Sequence, residues 1–308
     1  MEAFLSLFIS TIYAAESLLS PVPDDVLAMF HEEDTMTVQA IQKPIQSFGE
    51  LSSVPSTPDV LGASVEETPT PTNTPSPTPK PPIETKRARK STITIALLGD
   101  SMIDTMGPDA PALKSILSRT FPGTTFTVKN YGVGGTNIEY AIERITSGYT
   151  YLGNGIPALS SIHPDVVVLE SCGYNPFPFD NAMDKHWLSL SKAVDTLRSS
   201  IPGVKIVIGA TIAPNWNVFG DGAPGIAFAA EDKRKRVENI KTYLENAVKF
   251  AKSQKLPLAD AYHPSLDGSG NGKLAYINPG DHIHYSDNGR SLFAQKIAGA
   301  IIGNKLLE

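Results

Sequence analysis

Cysteine is nearly absent: Cys172 stands alone in 308 residues. A single thiol excludes an intramolecular disulfide and any zinc site built on cysteines. Histidine is sparse too, with six residues and no His-x3-His pair beside an acid. No metal and no cofactor are therefore expected. Positive charge is in deficit, 26 Lys and Arg against 32 Asp and Glu. That balance leaves no footprint for nucleic acid and no polybasic membrane patch. Internal repeats are missing as well. Residues 3–15 form an apolar run, but it is too short to span a bilayer.

That run has the length of a signal-peptide core and ends in the small pair Ala14-Ala15. Residues 1–19 are accordingly expected to be a signal peptide or a membrane-proximal segment. Residues 20–90 read as a disordered linker. Its centre, Thr68 to Pro82, holds seven prolines and five threonines in fifteen residues. Alternating Thr-Pro cannot support helix or sheet ladders and favours an extended polyproline II spacer. A spacer behind an export signal predicts a secreted or surface-held protein, tethered through its N-terminal segment. The basic run Lys86-Arg87-Ala88-Arg89-Lys90 closes the linker and is expected to be a solvated boundary.

From residue 91 to 308 the pattern is that of one folded domain, expected to be a monomer. Strands are predicted near 92–98, 125–130, 165–170, 204–210 and 256–260. Helices are predicted near 110–119, 137–146, 184–200, 230–253 and 288–302. Runs such as Val166-Val167-Val168-Leu169 are β-branched and of strand length, whereas Val237, Ile240, Leu244, Val248 and Ala251 recur at helical spacing. Strands alternating with helices predict an α/β fold, a parallel sheet covered on both faces.

Thr92-Ile93-Thr94-Ile95-Ala96-Leu97-Leu98 is a buried strand by composition, and it breaks at Gly99-Asp100-Ser101. A serine there sits at the carboxyl edge of the sheet, where open α/β sheets bind ligands. Taken alone, the stretch fits an ordinary serine helix cap equally well. Three more polar stations sit beside predicted elements, two after strands and the last just before the final helix. They are Asn130-Tyr131-Gly132-Val133-Gly134-Gly135, Gly173-Tyr174-Asn175 and Asp281-His282-Ile283-His284. Acyl transfer needs a nucleophile, a base, a group that orients the base, and donors for the oxyanion. Ser101 can attack, His284 can take its proton, and Asp281 can fix the tautomer. The Gly134-Gly135 turn lets backbone N–H groups approach a substrate, and Asn175 adds an amide donor.

These stations, in this order, resemble the SGNH hydrolases, also called the GDSL esterase/lipase family. The resemblance covers about residues 92–302. It implies a three-layer α/β/α sandwich with a five-stranded parallel sheet, flavodoxin-like in arrangement. It implies Ser101 as nucleophile, His284 as base and Asp281 as its partner. It places the oxyanion hole at the N–H groups of Ser101 and Gly135 and the side chain of Asn175. One position departs from the pattern: Pro176 stands where the family usually has Asp, and it biases Asn175 toward an extended backbone.

The expected function is therefore a serine esterase removing a small, acetyl-like group from a carbohydrate or similar ester, a small molecule or a polysaccharide. The alternatives are an acyltransferase or a lysophospholipase-type lipid esterase using the same site, and a non-catalytic carbohydrate-binding module. Trp216, on the loop after the fourth strand, and Phe177, with Phe179 after Asn175, are expected to line the substrate site. Packing of Trp216 onto the sheet is an equally simple reading. Cys172 is expected to be a buried apolar residue, Asp100 a cap, and His163, His186 and His263 surface residues.

Overall fold

The computed structural model describes residues 85–178 and 182–308. The expectations for residues 1–84 and for Phe179 lie outside them. Among the described residues there are seven strands: β1 Thr92–Gly99, β2 Thr125–Gly132, β3 Tyr149–Tyr151, β4 Asn154–Ile156, β5 Val166–Glu170, β6 Lys205–Ala210 and β7 Leu258–Asp260. The helices are α1 Ser101–Asp104, α2 Pro111–Thr120, α3 Ile138–Thr146, α4 Ala182–Ser200, α5 Ala230–Ser253, α6 Tyr262–Ser265 and α7 Asp287–Gly303. No helix among the described residues is long and apolar enough to cross a membrane.

Five strands form one parallel sheet in the order β2-β1-β5-β6-β7. The fold is the expected α/β sandwich, and its layers follow from the two-residue period of a strand. Ile93, Ile95 and Leu97 pack with Val166, Val168 and Val207 against Leu113 and Leu117 of α2 and Phe293, Ile297 and Ile301 of α7. Ala96 and Leu98 face the other way, with Val167, Leu169, Ile206 and Ile208. There they meet Ile142 and Ile145 of α3, Leu190 and Leu197 of α4, and Tyr243 and Phe250 of α5. Both faces of β1 and β5 are buried, which is why their sequences are continuous apolar runs.

The five predicted sheet strands and five long helices are all present. The antiparallel hairpin of β3 and β4 was not foreseen. Three-residue strands, half exposed, with Gly153 in the turn and Gly155 in β4, offer no alternation to read. The run 86–90 is bound to the domain: the Lys86 N–H donates to the Thr120 carbonyl and the Arg89 N–H to that of Leu307, both at 2.7 Å. Lys86 also pairs with Glu308 at 3.3 Å. His186 corrects the expectation of a surface residue. It is fully buried on α4, where one ring nitrogen meets the Ser171 carbonyl at 2.8 Å and the other the Asn246 amide at 3.0 Å. Two partners in place of water make a buried imidazole tolerable, and burial lowers its pKa to about 4. His163 and His263 are exposed, as expected.

Candidate active site

The carboxyl end of β1 runs into α1 through Asp100, which is the helix N-cap. One carboxylate oxygen of Asp100 accepts the Met102 N–H at 2.8 Å. Ser101 is thereby held at the first position of a tight turn, half-buried. Asn130 of β2 secures the far side of that turn. Its amide donates to the carbonyls of Ile103 at 2.8 Å and Gly107 at 2.9 Å, while its oxygen accepts the Gly132 N–H at 2.8 Å. Gly132 must lack a side chain, because a Cβ there would stand 2.2 Å from the Asp104 backbone nitrogen.

The glycine turn follows directly. A Cβ built on Gly134 would lie 3.8 Å from the Ser101 Cβ, so this backbone borders the serine. The Gly134 N–H is taken by the Tyr151 hydroxyl at 3.2 Å, and that hydroxyl donates to Asp104 at 2.9 Å. Gly135, the next residue, is exposed with φ +72°. The unforeseen hairpin thus delivers Tyr151 to the edge of the site. Burial raises the Asp104 carboxyl, partly offset by the Tyr151 hydrogen bond, and pushes Tyr151 up to about 12.

Asn175 is brought in by the loop after β5. Its N–H closes a turn on the Cys172 carbonyl at 3.1 Å, and its side-chain amide donates to the second oxygen of Asp100 at 2.9 Å. An amide carries two hydrogens, and fixing one on Asp100 aims the other. Beyond Pro176 the loop is supported by α5, where the Tyr243 hydroxyl accepts the Phe177 N–H at 2.7 Å. Phe177 is buried against Tyr243, and the Lys185 ammonium lies 4.5 Å from its ring centroid. Trp216 is partly buried, with Arg234 and Lys241 of α5 each 5.3 Å from its ring centroid.

The base candidate lies on the loop before α7. His284 Nδ1 donates to Asp281 at 2.9 Å, which makes Nε2 the basic nitrogen of the neutral ring. The other Asp281 oxygen accepts the N–H groups of Ile283 at 2.8 Å and His284 at 3.0 Å. Burial raises this carboxyl, but the His284 bond and charge and the two N–H donors outweigh it, and Asp281 is held below the usual range. His284 is near enough to act electrostatically on both Asp100 and Asp104, which flank Ser101 along α1. His282, at φ +51°, turns away to bond the Asp221 carbonyl at 2.6 Å.

Two buried residues at this edge escaped the sequence reading. Arg144 of α3 donates to the Gly99 carbonyl at 2.8 Å and to Thr136 at 3.1 Å, bracing the serine turn against the glycine turn. Glu170 ends β5, fully buried beside Asp100 and Cys172, with ligand-type atoms of the three within 4.8 Å of one another. The Glu170 oxygens already accept the Ser171 hydroxyl at 2.7 Å and the Cys172 N–H at 2.9 Å. These bonds make the cluster a structural knot rather than a metal cradle. A charge closing an otherwise apolar buried strand was the available signal for Glu170. Arg144 gave none, because a helix ordinarily turns its arginines to solvent.

Such an edge can attack a carbonyl and stabilise the charge that develops on it, so fold and site define an α/β/α hydrolase. Comparison with known proteins carries this to a family. Residues 97–292 match the GDSL-like lipase/acylhydrolase family, and the chain belongs to it. It is an ester-hydrolysing enzyme of that family, an esterase or acylhydrolase. Among solved structures it is similar to the lipase/acylhydrolase from Enterococcus faecalis. That match has 17% identity and a TM-score of 0.50, covering 69% of this chain and 96% of that one. A GDSL-like lipase from Bacteroides thetaiotaomicron matches with 12% identity and a TM-score of 0.49, over 68% of this chain and 88% of its own. A catalytic mutant of an acetylxylan esterase from Geobacillus stearothermophilus matches with 13% identity and a TM-score of 0.45, over 68% and 94%. No curated protein matches the sequence.

Proposed function

We propose that this enzyme is a serine esterase that removes a small acyl group from a carbohydrate or a similarly hydroxylated alcohol. The observation that carries the reading is the Asp281–His284 hydrogen bond at 2.9 Å, in a ring close enough to act on Asp100 and Asp104 at the two ends of the serine turn. Ser101 Oγ attacks the ester carbonyl while His284 Nε2 takes its proton, and the imidazolium is stabilised by Asp281. The oxyanion is met by the N–H groups of Ser101 and Gly135 and by the Asn175 amide. Collapse expels the alcohol, protonated by His284, and leaves an acyl-enzyme. Water, activated by the same imidazole, then releases the acid.

The half-buried Asp104–Tyr151 pair supports the hydroxylated alcohol. It places a carboxylate and a phenol beside Gly134, where hydroxyl groups of a substrate can be bonded. The N-terminal Thr-Pro spacer supports a secreted or surface-held enzyme. Turnover of 4-nitrophenyl esters tests the chemistry. Ser101→Ala should lower kcat by at least about a thousandfold with an unchanged circular dichroism spectrum, since such residues act as a unit. Retention of a large share of wild-type turnover would overturn the assignment of the nucleophile. Acetyl esters should be turned over faster than octanoyl esters, and the reverse order would point to a lipid substrate.

A further inference from the structure

Asp100 and Glu170 are both wholly buried, side by side at the ends of neighbouring strands. Glu170 binds the machinery on two sides. Towards its own loop it accepts the Ser171 hydroxyl and the Cys172 N–H. Towards β1 its carboxyl lies against that of Asp100, with ligand-type atoms of the two residues within 4.8 Å of each other, and the Asp100 charge acts on it. Gly99 makes room for this, because a Cβ there would lie 2.8 Å from a Glu170 carboxyl oxygen. Asp100 passes the connection on, capping the Ser101 turn with one oxygen and holding the Asn175 amide with the other.

We propose that Glu170 is a positioning residue for the ester hydrolysis, a buried clasp that acts through Asp100 to fix the nucleophile turn and the Asn175 amide in register. This rests on the esterase reading above. Two carboxylates cannot both stay charged at such range in a buried site. Burial and the neighbouring Asp100 charge push Glu170 well up, which favours the proton on Glu170, turned toward Asp100. Asp100 then remains the acceptor for its two donors, the Met102 N–H and the Asn175 amide, with a protonated Glu170 as a third within reach. The Arg144 guanidinium stands on the same side, bound to the Gly99 carbonyl, and balances the remaining charge. Glu170, Asp100 and Asn175 are linked through hydrogen-bonded neighbours on both strands, and such networks enforce one geometry. Glu170 touches neither serine nor substrate, so its effect falls on the rate of the positioned step.

The test uses the full chain with 4-nitrophenyl acetate, every rate being divided by active sites titrated with a serine-directed organophosphate. Glu170→Ala should lower kcat per titrated site by about 10- to 100-fold with KM within about twofold, the usual cost of a small misplacement. Glu170→Gln, which can still donate to Asp100, should keep at least about a third of wild-type kcat. Adding Glu170→Ala to Asn175→Ala should cost less than it does alone, because the two share one connection. If Glu170→Ala does not fold, Glu170→Asp, one methylene too short to reach both loops, replaces it in each comparison. Wild-type kcat per titrated site in the truncated variant, or full additivity with Asn175→Ala, would overturn the proposal. Ser101→Ala is run beside these variants. Failure of Ser101→Ala to abolish turnover condemns the esterase reading itself, whereas failure at Glu170 alone leaves that reading standing.

Discussion

The chain contains the tetrapeptide pattern Asp-x-x-His twice, at Asp260–His263 and at Asp281–His284, and only one copy belongs to the candidate site. Locally they are near twins. His263 meets Asp260 at 2.7 Å through Nδ1, and His284 meets Asp281 at 2.9 Å through the same atom. Each Asp also accepts the backbone N–H of its own histidine. The surroundings differ. The His263 side chain is 45% exposed and its other nitrogen meets Glu245 at 3.3 Å, whereas the His284 and Asp281 side chains are each 13% exposed. The first pair sits where β7 enters α6, and the second beside the serine turn. An Asp–His hydrogen bond is therefore a common local device. Under the proposed function the second pair serves catalysis because enclosure lowers the dielectric around it, as it does not around the first.

The sharpest way to break this comparison is to remove the acid from each pair. Asp281→Asn should lower kcat by about 10³- to 10⁴-fold, because the wrong tautomer then faces the serine. Asp260→Asn should leave kcat within about twofold, as an exposed ion pair contributes little. Equal losses, measured as steady-state esterase rates on both variants, would show that the pairs are not functionally distinct.

Asn175→Ala extends the contrast to a group that never titrates. It should cost about 3 kcal/mol of transition-state stabilisation, the usual worth of one oxyanion donor, with little change in KM. An unaltered kcat would make Asn175 a purely structural partner of Asp100.

His186 supplies a third histidine, fully enclosed and without an acid. Its folded pKa of about 4 lies below the ordinary value of 6.5. Its contribution to stability is therefore complete above about pH 6.5 and lost as the pH falls toward 4, where the unfolded chain binds a proton that the folded one refuses. The loss should reach about 3 kcal/mol across that window. Urea titrations at a series of pH values should show a shallower acid slope in His186→Gln than in the wild type, after allowance for its lower stability at neutral pH. Parallel slopes would contradict the assignment.

The smallest effect is expected at the domain boundary. Removing residues 1–84 should leave esterase rate and thermal midpoint unchanged. Removing residues 1–90 should cost about 1–2 kcal/mol, because it takes away the Lys86 and Arg89 backbone bonds to Thr120 and Leu307. Calorimetry on the two truncations distinguishes a seated run from a free one.

The sequence by itself determined the layers and most of the polar stations. β1 and β5 are apolar on both faces and must be covered on both. α5 repeats its apolar residues at helical spacing. Gly-Asp-Ser and Asn175 follow strand ends, Asn130 lies near the end of β2, and Asp281–His284 precedes α7. These are local properties, set by side-chain period and by turn chemistry within a few residues. Tertiary structure decided what depends on approach between distant segments. It carried Tyr151 on a hairpin too short to leave a pattern, turned Arg144 inward and enclosed His186. It also set Glu170 against Asp100 across two strands, packed Phe177 and Trp216 onto α5, and enclosed the second Asp-x-x-His while leaving the first at the surface. Periodicity along a chain can say which face of an element is apolar. Only the folding of one element onto another fixes which charges lose their water, and the chemistry of this site follows from that loss.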